Sequence, residues 1–140
     1  MRTWRLTTLA CVALMLLGVG CRDRSTAQDK EDKLCVELGE LDQSITKLAS
    51  LAASGGDPAM VATLRAEIEA RYAEAQKAAE DTPALTSSMA KVNAAYDMVI
   101  QSISGVNSEA TLREAQPRID SAAGEYATAR LELYDTAGCA

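Results

Sequence analysis

After residue 33, apolar residues recur at alternating spacings of three and four along almost the whole chain. That repeat leaves little room for any fold but α-helices packed side by side. In the first stretch Leu34, Leu38, Leu41, Ile45, Leu48 and Ala52 fall on one helical face. The stretch stops at Ser54-Gly55-Gly56, where glycine accepts the left-handed terminal conformation. Asp57-Pro58 supplies an N-cap followed by proline at the first helical position, and the next seam is Val61, Leu64, Ile68, Tyr72, Ala75 and Ala79. Thr82-Pro83 repeats that start signal ahead of Leu85, Met89, Val92, Tyr96, Val99 and Ile103, a seam ended by Gly105. Asn107 or Ser108 then caps a fourth seam through Leu112, Ala115, Ile119, Ala122, Tyr126, Ala129 and Leu133, closing at Gly138.

Helices of about 22 to 29 residues span about 33 to 43 Å, and the short turns between them require antiparallel neighbours. The expected fold is therefore all-α, an antiparallel up-down-up-down four-helix bundle over residues 31–140. Pro117 falls well inside the fourth helix, where it removes a backbone hydrogen bond at a cost of about 3 kcal/mol unless a kink relieves it. A bend near Arg113 is expected there, not a break. On the outer faces Glu67 with Arg71, Glu109 with Arg113, and Glu114 with Arg118 stand acid-before-base at four-residue spacing, the mark of solvent-facing surface.

The segment before the seams has a different character. Arg2 and Arg5 precede Leu6 to Gly20, an uncharged run rich in Leu, Val and Ala. At about 15 residues this run is shorter than the roughly 20 a membrane span needs, so residues 1–20 read as an export signal. Leu17-Gly18-Val19-Gly20-Cys21 then resembles the lipobox of bacterial lipoproteins, although Leu17 stands one place earlier than the family's usual leucine. The resemblance implies cleavage before Cys21, acyl chains on that cysteine and a membrane anchored through them. Ser25-Thr26-Ala27 offers the alternative of ordinary secretion with cleavage after Ala27. Residues 21–30 are polar and unpatterned and read as a flexible tether.

Either cut leaves the same two bundle cysteines, Cys35 and Cys139. In an oxidising compartment an even remainder without C-x-x-C spacing points to a disulfide and away from a metal or redox centre. An up-down-up-down bundle starts its first helix at the end where the fourth finishes, which brings this pair together; a three-helix bundle would separate it by a helix length.

The chemistry of the remaining residues is mostly exclusion. The chain has no His, which removes di-iron Glu-x-x-His pairs, zinc protease motifs, haem attachment and histidine-activated nucleophiles. Glu37, Glu40, Glu67, Glu69 and Glu74 lie off the seams and read as solvated carboxylates, and Gly55-Gly56 lacks the lysine and spacing of a phosphate loop. Met60, Met89 and Met98 have no ligand spacing, so neither a metal nor a cofactor is expected. After residue 20 there are 12 Lys and Arg against 20 Asp and Glu, a balance that repels phosphate backbones and argues against nucleic acid as a partner. Aromatics make up 4% of the chain and Phe is absent, which makes the placement of Tyr72, Tyr96 and Tyr126 on three different seams notable. They either fill space left by alanine or outline a small pocket for an apolar ligand between helices. The design as a whole resembles small exported bacterial helical lipoproteins of unknown function. The expectation is a non-enzymatic cell-envelope module with a protein partner, or alternatively a binder of a small apolar ligand near the tyrosines.

Overall fold

A computed structural model of the chain describes the backbone of residues 20–80 and 82–139 and the side chains from residue 28 onward. Residues 1–19 of the expected export signal and the side chain of Cys21 lie outside the described residues. Four helices, α1 (Gly20–Ser54), α2 (Pro58–Ala79), α3 (Thr86–Ser102) and α4 (Glu109–Ala137), form a bundle, with a 3₁₀ turn at Pro83–Leu85 leading into α3. There is no strand among the described residues.

The start and stop residues act largely as their chemistry requires. Gly55 closes α1 at φ 65°. Asp57 accepts a hydrogen bond from the Ala59 amide at 2.9 Å while Pro58 takes the first helical position. Ser108 and Thr111 cap α4 reciprocally: the Thr111 amide donates to Ser108 Oγ at 3.2 Å, and the Ser108 amide to Thr111 Oγ1 at 3.0 Å. Thr82 does not act as its sequence suggests, since its side chain makes no cap bond. Instead the Leu85 amide donates to the Thr82 carbonyl at 2.9 Å, and the resulting 3₁₀ turn drives Leu85 into the core before α3 begins.

The seams are buried as their spacing requires. Leu34, Leu38, Leu41 and Leu48 on α1, Ile68 on α2, Val92 on α3, and Leu112, Ala115 and Leu133 on α4 are fully enclosed. Ala78 and Ala95, each beside a seam position, are buried as well, as the mismatch between a 3.5-residue repeat and a 3.6-residue helix demands. Contacts run in opposite senses along neighbouring helices. On α1, Lys33 meets Glu74 and Lys47 meets Glu67 of α2. Ser88 meets Thr136 and Lys91 meets Glu132 between α3 and α4. Cys35 meets Cys139 and Asp42 meets Arg130 between α1 and α4. The seam between α2 and α3 is packed much more loosely than these three.

Continuous helix runs through residues 21–30 and through Pro117. Residues 21–30, which read as a tether, carry helical backbone continuous with the rest of α1. No Gly or Pro occurs between Cys21 and Leu38, so nothing in the run terminates a helix, and Gln28 donates to Asp32 at 3.2 Å one turn on. Pro117 lies inside α4 without breaking it. Both Pro117 and Arg113, whose carbonyl loses its usual donor, are exposed, so water can take up the freed acceptor.

Cys35 and Cys139 form a disulfide, their α-carbons 5.6 Å apart across a sequence separation of 104. Gly138, left-handed at φ 70°, turns the chain out of α4 so that Cys139 faces α1. Replacing both cysteines (Cys35→Ser with Cys139→Ser) is expected to lower unfolding stability by about 2 to 5 kcal/mol, because the bridge restricts the unfolded chain. Urea unfolding followed by circular dichroism checks this; a loss below that range, or a collapse of helix content in the folded baseline, contradicts it.

Candidate functional site

The loosely packed seam between α2 and α3 is where side chains other than aliphatics meet. Tyr72 and Tyr96 occupy seam positions in the middle of their helices, and the space there is filled by their rings stacked on each other, centroids 3.6 Å apart and planes within 6°. The Tyr72 hydroxyl donates to Asn93 Oδ1 at 2.8 Å and accepts from Gln76 Nε2 at 2.8 Å. Burial pushes both phenols above their ordinary value, reinforced by Asp97 at Tyr72 and by Glu69 at Tyr96. At neutral pH both are uncharged, suited to stacking and hydrogen bonding and not to nucleophilic attack. An open groove of about 410 Å³ continues past them, bounded by Gln76 and Ala79 on α2 and by Met89 and Asn93 on α3.

Tyr126 does not belong to this cluster. It is fully buried, and its hydroxyl donates to the Leu38 carbonyl at 3.3 Å. The third sequence-nominated tyrosine is thus a core residue of the α1–α4 seam, and burial pushes its phenol far upward. Tyr134, two turns further on the same face, does related work: its hydroxyl donates to the Cys35 carbonyl at 3.0 Å, and the Arg130 guanidinium sits 4.9 Å from its ring centre. Its spacing of eight from Tyr126 was the available signal.

The carboxylates are less free than their off-seam positions implied. Glu37 keeps only 12% of its side chain exposed and lies 3.6 Å from Arg71 Nη1, which also pairs with Glu40. Buried Ser44 donates to Glu67 Oε1 at 2.7 Å, and Lys47 approaches the same oxygen at 3.5 Å. Glu67 and Arg71 therefore reach across to α1 instead of pairing with each other, because packed helices bring these partners together while their backbones are already fixed. Among the described residues, Glu109 with Arg113 and Glu114 with Arg118 form no ion pair, and the i,i+4 bridge that does form is Arg65 with Glu69 at 2.8 Å. The pairs that Lys33, Glu37, Glu40 and Lys47 make across to α2 zip it to α1. No group of three or more Cys, Asp or Glu among the described residues is arranged to hold a metal ion.

No protein-family description, curated protein or solved structure matches the chain.

The hydrogen bond from Ser44 and the charge of Lys47 hold Glu67 below the ordinary carboxylate value of 4.5, and Lys33 does the same for Glu74. Each carboxylate binds its proton more weakly in the folded chain, so its contribution to stability is complete above pH 4.5 and is lost as the pH falls through the lowered folded value. Lys33 is held above 10.5 by Glu74, so its contribution is complete below pH 10.5 and is lost as the pH rises past it. The melting temperature is expected to fall as the pH drops below 4.5, and Glu67→Gln to shrink that fall. A variant melting curve with the parent's full acid dependence would show that Glu67 is not part of it.

Proposed function

We propose that the chain is a non-enzymatic lipoprotein of the bacterial cell envelope, exported by its N-terminal signal, held to a membrane by acyl chains on Cys21, and serving there as an interaction or structural module. In this reading the helices alternate up-down-up-down, and the end stapled by Cys35 and Cys139 is the end nearest the anchor. The disulfide carries the reading, because a structural bridge closing a loop of 104 residues suits an oxidising compartment and not a reducing cytosol. The basic residues Arg2 and Arg5, the apolar run after them and the lipobox-like Leu17-Gly18-Val19-Gly20-Cys21 support the same compartment from the sequence side. No helix among the described residues is long and apolar enough to cross a membrane, so in this reading attachment falls to the lipid. Intact mass spectrometry of the membrane fraction is expected to give a chain beginning at acylated Cys21; a soluble product beginning at Gln28 would overturn the assignment.

A second reading, binding of a small apolar ligand, is favoured by the groove beside Tyr72, with its apolar floor at Ala79 and Met89 and its amides at Gln76 and Asn93. The only Trp is Trp4, in the expected leader, so tyrosine dominates the emission of a processed chain. Under this reading the neutral dye N-phenylnaphthylamine quenches that emission saturably and Met89→Glu abolishes the effect; unsaturable quenching, or quenching indifferent to Met89→Glu, rules it out.

A further inference from the structure

On the side formed by α3 and α4, two open grooves of about 460 and 330 Å³ share Met98 as a common wall and make one trough. Between Lys91 and Ser102 it follows α3 for about 16 Å at helical rise. Its floor is made of the buried alanines Ala95, Ala122 and Ala129, small enough for another helix to approach closely. Met98 stands in it 44% exposed, a flexible apolar side chain with nothing packed over its outer half.

The charges around the trough differ from those of the chain as a whole. Its charged walls are Lys91, Arg118, Glu125 and Glu132, two of each sign, on a protein whose net charge is -6. A face so balanced presents little like-charge repulsion to a second copy. Lys91 and Glu132 neutralise each other within one copy. Arg118 and Glu125 are exposed and have no ionic partner among the described residues. They stand seven residues apart, two turns along one face of α4, with Ser121 between them.

We infer that this trough is the contact face of an antiparallel homodimer, in which a second copy of the chain lays α4 across it about a two-fold axis near Ser121. That axis places Arg118 against the partner's Glu125 and Glu125 against the partner's Arg118, so both unpaired charges are satisfied twice by one operation. Met98 of each copy then covers the alanine floor of the other. A parallel arrangement, with the axis along the helices, sets Arg118 against Arg118 and Glu125 against Glu125 and is opposed by the same charges. The inference is independent of lipidation, since it uses only residues of α3 and α4.

Cysteine cross-linking of the full chain in the cells that export it tests this geometry. Ser121→Cys, near the axis, is expected to give a reducible dimer on non-reducing gels severalfold above that of Ala62→Cys, an exposed control on α2. Adding Glu125→Arg to Ser121→Cys brings two guanidinium groups together and is expected to cut the dimer severalfold, while adding Arg118→Glu to that double variant restores it. Cross-linking of Ser121→Cys no greater than that of Ala62→Cys would overturn the dimer. A dimer unchanged by Glu125→Arg, or not restored by the reciprocal swap, would overturn the antiparallel face.

Discussion

Because Cys35 and Cys139 are bonded across 104 residues, α1 and α4 must lie side by side at one end whatever α2 and α3 do between them. The same seam is tied again without covalent help. Tyr134 reaches the Cys35 carbonyl and Tyr126 the Leu38 carbonyl, two phenols from α4 bonding backbone oxygens on successive turns of α1, with Arg130 facing Asp42 at 3.3 Å beside them. Such closure matters more here than in a core rich in large side chains. Alanine at positions 52, 75, 78, 95, 115, 122, 129 and 137 buries a single methyl each, so the apolar area removed from water per residue is small. Alanine also lets helices approach closely, which is what allows a tyrosine to span the gap and find a carbonyl.

The opposite seam has none of these ties. Between α2 and α3 the bundle relies on the stacked pair Tyr72 and Tyr96 and on amides that satisfy one hydroxyl. A stacked pair contributes about 0.5 to 1.5 kcal/mol beyond its buried area, well below a long-loop disulfide. The stability of the bundle is therefore graded across its section. α1 is fixed to α4 by a covalent bond and to α2 by ion pairs, whereas α2 and α3 are joined chiefly through aromatic contact. Local opening is easiest where helices approach each other least closely, which makes the tyrosine seam the side most able to admit another molecule.

What the sequence made legible was set by periodicity. A seam such as Leu34 to Ala52 states its face directly, because spacing alone determines which side chains point together. The disulfide was legible for a related reason: cysteine parity and helix number each constrain the same end of the bundle. Features that depend on which neighbour a flexible side chain chooses were not legible. Arg71 has Glu67 four residues before it yet pairs across to Glu37 and Glu40, a choice made only once α1 and α2 are packed. Tyr72, Tyr96 and Tyr126 look equivalent along their seams, but the first two stack on each other between α2 and α3 and the third faces a carbonyl on α1. Thr82-Pro83 and Asp57-Pro58 look alike too, yet one opens a 3₁₀ turn that carries Leu85 into the core and the other a capped helix start.

Helical backbone from Gly20 gains meaning when the anchor and the antiparallel dimer are considered together. A two-fold axis across α4 sends the two copies of α1 out of opposite ends of the pair. Were residues 21–30 a flexible tether, both lipids could fold back to one surface, since a short coil reaches in any direction. As a helix, the 15 residues from Gly20 to Leu34 extend α1 by about 22 Å ahead of the staple at Cys35, along the axis of the bundle. On the proposed acylation of Cys21, the two anchors would be directed away from each other. Two proposals made on separate residues, Cys21 for attachment and Arg118 with Glu125 for pairing, thereby constrain each other: a dimer carrying both suits facing membrane surfaces better than a single one.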